Sequence, residues 1–128
     1  MSDSVLSSVM TTSVASVDAT ATMRQAAGSL RDFDVGTLVI MEGPEIVGIV
    51  SERDLVWGLA TDADPDATRV ADIMSKTPRY ATPSETVGSA VSTMLTAGIR
   101  HLPVVEDGEL VGIVSMRALL AQQQVPYR

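Results

Sequence analysis

The chain repeats itself. Laid along itself at an offset of 64 residues, Val47-Gly48-Ile49-Val50-Ser51 meets Val111-Gly112-Ile113-Val114-Ser115 without a gap. On the same offset Met10 meets Met74, Thr22 meets Thr86, Ala26 meets Ala90 and Leu38 meets Leu102. Glu42 and Glu45 meet Glu106 and Glu109, and Arg53 and Leu55 meet Arg117 and Leu119. A duplication of this length makes each half one supersecondary unit, too small to bury its apolar face except against its twin. The halves expected are 1–62 and 63–128.

Both halves carry the same local signals. A short segment ending in Val9-Met10 or Ile73-Met74 reads as helical, followed by an extended piece at 14–17 or 79–81. Thr20 and Ser84 then read as helix N-caps. Behind them Met23, Ala26, Ala27 and Leu30, and again Val87, Ala90, Val91 and Met94, recur at the spacing of one helix face. Gly98 suits a left-handed helix end. Two branched apolar runs follow in each half, 37–41 with 46–51 and 101–105 with 110–115, flanking Glu42-Gly43-Pro44-Glu45 and Glu106-Asp107-Gly108-Glu109. Runs bounded by such turn residues predict β-hairpins. A last helix starts after Ser51 and after Ser115, and polar Thr61-Asp62-Ala63-Asp64-Pro65-Asp66 reads as the linker between halves.

The order β-α-β-β-α, duplicated, with Gly-Ile-Val-Ser leading into the last helix, resembles the CBS (cystathionine-β-synthase) domain. Val-Gly-Ile-Val-Ser in both halves carries the resemblance, with Ile99-Arg100-His101-Leu102-Pro103-Val104-Val105 and the opening Val70-Ala71-Asp72-Ile73-Met74. It spans roughly residues 6 to 60 and 70 to 123. It implies an α/β fold of the α+β kind, in which two CBS repeats pack about a pseudo-twofold axis and leave two clefts between them. In that family the clefts commonly bind adenine nucleotides, less often S-adenosylmethionine or nothing.

Ser51-Glu52-Arg53-Asp54 is the most suggestive tetrapeptide. A nucleotide needs a carboxylate to accept its ribose hydroxyls and donors at a helix start for phosphate, and Ser51 and Asp54 supply both kinds of group. The same spacing also makes a capping box, in which the two side chains merely close the helix end. The second half has Ser115-Met116-Arg117-Ala118, and Ala118 has no side-chain acceptor. The resemblance implies that residues opening one hairpin reach phosphates held by the other half. The second half has Arg100 and His101 there, where the first has Asp34-Val35-Gly36-Thr37. A guanidinium binds phosphate and an aspartate repels it; both Arg100 and His101 also suit a solvated strand end. One competent site for AMP, ADP or ATP is expected, with adenine against Val14, Val17 and Ile49, and no obligatory cofactor.

Composition narrows the partners. Sixteen Asp and Glu against nine Lys and Arg leave a net charge of −7, which repels nucleic acid polymers and anionic membranes. The chain has no cysteine and one histidine, and no metal-ligand pair, nucleophile elbow or Gly-rich phosphate loop, so neither catalysis nor a metal site is expected. No apolar run approaches the length of a membrane span and no signal peptide opens the sequence, so a cytoplasmic location is expected. The final helices, with Leu55, Val56, Trp57, Leu59, Leu119 and Leu120, are apolar nearly all round. That predicts a homodimer built on them. A regulated enzyme or transporter is the further partner the resemblance implies.

Overall fold

The computed structural model describes residues 4–76 and 79–122. The chain divides into two compact units, Ser13–Pro78 and Met1–Thr12 with Arg79–Arg128. The sequence halves and the compact units therefore differ, because the opening segment of each half packs in the other unit.

In Ser13–Pro78 a four-stranded sheet runs in the order β1 (Ser16–Asp18), β2 (Thr37–Glu42), β3 (Glu45–Ser51), β4 (Ser75–Lys76). β1 lies parallel to β2, and the other neighbours are antiparallel. Helix α1 (Met23–Phe33) and helix α2 (Glu52–Ala60) supply Met23, Ala26, Leu30 and Leu55 to a core with Leu38, Ile40 and Val50. Val70, from the 3-10 turn Val70–Asp72, is fully buried in that core. It is fastened by its N–H to the Ala21 carbonyl at 2.8 Å, while the Met23 N–H reaches the Thr68 carbonyl at 2.9 Å.

The other unit repeats this design. Helix α3 (Val87–Ala97), hairpin β5 (His101–Glu106) and β6 (Glu109–Ser115), and helix α4 (Met116–Gln122) enclose Val87, Ala90, Met94, Leu102, Val104, Val114 and Leu119. Leu6, from the 3-10 turn Leu6–Ser8, takes the place that Val70 takes in the first core. Its N–H donates to the Glu85 carbonyl at 2.8 Å, and the Val87 N–H donates to the Ser4 carbonyl at 2.9 Å. Single bridges, Ala81 to Val104 and Thr11 to Ile113, stand where β1 and β4 stand in the first unit. Strand register is duplicated to the bulge: Val47 and Val111 are each the extra residue opposite Ile40/Met41 and Val104/Val105. An extra residue reverses the alternation of faces, so Val47 and Val111 turn toward their cores.

Three local expectations change. The N-caps are Thr22 and Thr86, not Thr20 and Ser84. Thr22 accepts from the Gln25 N–H at 3.2 Å, while Gln25 Oε1 accepts from the Thr22 N–H at 2.9 Å, a complete capping box. Thr86 accepts from the Ser89 N–H at 3.1 Å. Thr20 instead gives both its N–H and its hydroxyl to Asp18, which holds that carboxyl below its ordinary range. Asp34 is not a hairpin residue but the left-handed C-cap of α1, at φ 54°, and its twin is Gly98 at φ 69°. The stretch Thr61–Asp66 stays inside Ser13–Pro78 rather than linking the units. The Ala63 N–H donates to the Gly58 carbonyl at 3.0 Å, and Asp66 pairs with Arg24 on α1, which holds the carboxyl low and the guanidinium high.

Candidate functional site

Strand β3 ends and α2 begins at Ser51, and that junction orients the candidate carboxylate. Ser51 is extended, at φ −115° and ψ 166°, so its side chain faces back over the first helical turn. Its Oγ accepts from the Asp54 N–H at 3.2 Å. Asp54 Oδ2 accepts from the Ser51 N–H at 2.8 Å and from the Ser51 hydroxyl at 3.0 Å. The capping reading of this tetrapeptide is thus realised in full. It also leaves a carboxylate half-buried and held by two donors at a helix N-terminus, where the helix dipole favours an anion.

The neighbouring strand completes the corner. Thr37 opens β2 directly opposite Ser51, and the Glu52 N–H donates to the Gly36 carbonyl at 3.0 Å. Glu52, Gly36, Asp34, Arg31, Leu30 and Val56 line an open groove between α1 and α2 beside this corner. That groove was not foreseen from the sequence. The 64-residue offset sets Gly36 against Arg100 and Glu52 against Met116, so the repeats differ in two of the residues that line it.

The corresponding corner of the other unit keeps the backbone and changes the chemistry. Ser115 Oγ accepts from the Ala118 N–H at 3.1 Å, which is half of a capping box. The Met116 N–H donates to the Arg100 carbonyl at 2.8 Å, and His101 is paired across the hairpin with Ser115. Arg100 is exposed and His101 half-buried. Both corners carry an arginine, Arg53 and Arg117; the α2 corner adds Glu52 and Asp54, whereas the α4 corner adds Arg100 and His101 and no acid.

The structure brings Ser51 and Asp54 into contact and keeps Arg100 beside His101 in the other unit. It separates two of the three apolar candidates. Val17 is in register with Ile40 and packs against the core, while Ile49 is in register with Val39 on the opposite face of the sheet. A slot lined by both side chains is not formed, because adjacent strands present residues in register to one face. Val14 is half-buried just before β1. Among the described residues no group of three or more His, Asp or Glu side chains is placed to hold a metal ion, and no helix is long and apolar enough to cross a membrane.

The sequence model of the CBS domain matches residues 6–60 and 70–124, most of both halves. The chain belongs to the CBS-domain family. It is a tandem CBS module, a regulatory type of unit. An uncharacterized 17.7 kDa protein of Acidianus ambivalens is 36% identical over 116 residues, covering 89% of this chain and 70% of that protein. An uncharacterized Methanopyrus kandleri protein is 39% identical over 111 residues, covering 84% of this chain, which spans 56% of that protein's length. Among solved structures, a CBS domain protein of Pyrobaculum aerophilum complexed with AMP is 29% identical, with a TM-score of 0.75 over 93% of this chain and 97% of that one.

Proposed function

We propose that this CBS pair is a ligand-sensing regulatory module, without catalytic activity of its own, whose ligand is an adenine nucleotide held through Asp54. The observation that carries the reading is the Asp54 carboxylate, anchored by Ser51 at the start of α2 where the second repeat has Ala118. A carboxylate fixed by two donors keeps acceptor capacity for vicinal ribose hydroxyls. Arg100 and His101 are the proposed phosphate contacts, with Val14 and Ile49 against the base. The AMP in the Pyrobaculum relative supports this ligand class. S-adenosylmethionine would present the same ribose to Asp54. The expected setting is the cytoplasm, with an enzyme or transporter as the regulated partner.

A homodimer belongs to the same proposal. Val56 and Trp57 on α2 are 63% and 61% exposed, and Leu59 is 53% exposed, so α2 presents an apolar flank beyond the core of its own unit. Leu120 on α4 is likewise 51% exposed. Apolar clusters of this kind mark association surfaces.

A second reading has its own observation: Asp54 already has the partner a capping box needs. On that reading the module docks on a protein without any small ligand. A thermal-shift panel of AMP, ADP, ATP, S-adenosylmethionine and NAD, run on the wild type and on Asp54→Ala, separates the two. A ligand at a hundredfold excess over its dissociation constant stabilises by about 2.7 kcal/mol, a shift of several degrees. A shift lost in Asp54→Ala supports nucleotide sensing through this residue. A full shift in the variant removes Asp54 from the site, and no shift with any compound leaves ligand-independent docking.

A further inference from the structure

Two methionines outside the proposed ligand site occupy matching places in the two units. In Ser13–Pro78, Met74 follows the turn Val70–Asp72, and its Sδ lies 2.5 Å from where a Cβ on Gly48 would stand. In the other unit, Met10 follows the turn Leu6–Ser8, and its Sδ lies 2.7 Å from the Cβ position of Gly112. The backbone closes in at the same spots: Ser75 O is 2.7 Å from the first Cβ position and Thr11 O is 3.0 Å from the second. Each thioether thus fills part of the space that a glycine leaves on the second hairpin strand, and the Ser75 and Thr11 carbonyls border the same two spaces.

These contacts join the hairpins to the segments that complete their cores. Val70 and Leu6 are fully buried, and the turns carrying them are held to the rest of their units by a few backbone hydrogen bonds. The chain has no cysteine, so thioethers are its oxidisable sulfurs. Met23 and Met94 are closed off, at 2% and 0% exposure, whereas Met10 and Met74 are half-buried residues at the edges of their cores.

We propose that Met10 and Met74 are paired oxidation sites, through which a peroxide loosens both hairpins from their packing segments. The sulfur lone pair attacks one oxygen of hydrogen peroxide, the O–O bond breaks, an S–O bond forms and water departs. Sulfur loses two electrons and the peroxide gains them. The product carries one more heavy atom into a space that only glycine leaves open. Its oxygen is also a strong acceptor brought in among apolar side chains that offer it no donor. Both units respond in the same way because the latch is duplicated with the fold, and reduction by methionine sulfoxide reductase restores it.

The test is a hydrogen peroxide titration of the full chain, read by peptide mapping and by thermal midpoint. Sulfoxide at Met10 and Met74 is expected before any at Met23 and Met94, with a fall of several degrees in midpoint that tracks it. The double variant Met10→Leu, Met74→Leu conserves side-chain volume. It should hold its midpoint under the same peroxide, although Met41 and Met116 remain oxidisable. Thioethers surviving at Met10 and Met74 while Met23 and Met94 oxidise would overturn the proposal. So would an equal loss of midpoint in the double variant. Should that variant not fold, amide exchange on the oxidised wild type decides: faster exchange across 4–12 and 70–76 supports the latch, and unchanged exchange there sinks it.

Discussion

The starts of α2 and α4 have the same backbone and different side-chain chemistry. Each begins at a serine whose Oγ accepts an N–H three residues on, and each is tied through its first N–H to a carbonyl just before the first hairpin strand, Gly36 or Arg100. Beyond those bonds the two corners part: around the shared Arg53 and Arg117, one has Glu52 and Asp54 where the other has Met116 and Ala118, and the second adds Arg100 and His101. The duplication therefore preserved what the helix ends need and freed what a ligand would read. Backbone capping constrains Ser51 and Ser115 alike, and nothing in the fold requires an acid three residues further on.

The largest effect that could break the likeness of the two units lies at their glycines. Gly48→Ala would set a methyl against Ser75 O as well as Met74, and Gly112→Ala would meet Met10 with slightly more room at Thr11 O. Overpacking of this kind costs about 1–3 kcal/mol, with the larger loss expected for Gly48→Ala by chemical denaturation. Equal losses would show that the units tolerate strain alike.

A smaller effect sharpens the contrast between the corners. Removing the side-chain half of the box with Asp54→Ala should cost about 1 kcal/mol, and Ala118→Asp should add roughly 0.5–1 kcal/mol by completing the second box. Denaturation midpoints of the two variants check both signs. A neutral Ala118→Asp would mean that a residue at that place cannot reach back to the Ser115 N–H.

The smallest effect concerns the helix ends. Asp34 holds the left-handed conformation that Gly98 adopts without a Cβ penalty. Asp34→Gly is expected to stabilise by up to about 1 kcal/mol in a thermal melt. A loss would show that the Asp34 side chain contributes more to its surroundings than its backbone costs.

Much of this was open to reading in the residues. Hairpins at Gly43-Pro44 and Asp107-Gly108 follow from turn chemistry: Gly43 takes φ 59°, and Asp107 and Gly108 take 52° and 80°. Helix starts after Ser51 and Ser115 and the glycine end at Gly98 are equally local. Thr20 and Ser84, two residues earlier, offer the same hydroxyl chemistry as the true caps Thr22 and Thr86. What decides between them is the burial of Met23 and Val87 at the first helical position. Val17 and Ile49 read as one slot because both are branched apolar residues in extended segments of one repeat. The pairing of β1 and β3 with β2 puts them on opposite faces, and register is a relation between strands that no single strand carries.

By itself the sequence determined the duplication, the order of elements within each repeat, and the asymmetry of Asp54 against Ala118, because each rests on residue identity at short range. Only the tertiary structure decided that Leu6 completes the second core and Val70 the first. The two segments carry the same apolar pattern and each hairpin presents the same kind of surface, so local preference is silent on the choice. Long-range packing and the bonds from Leu6 to Glu85 and from Val70 to Ala21 make it.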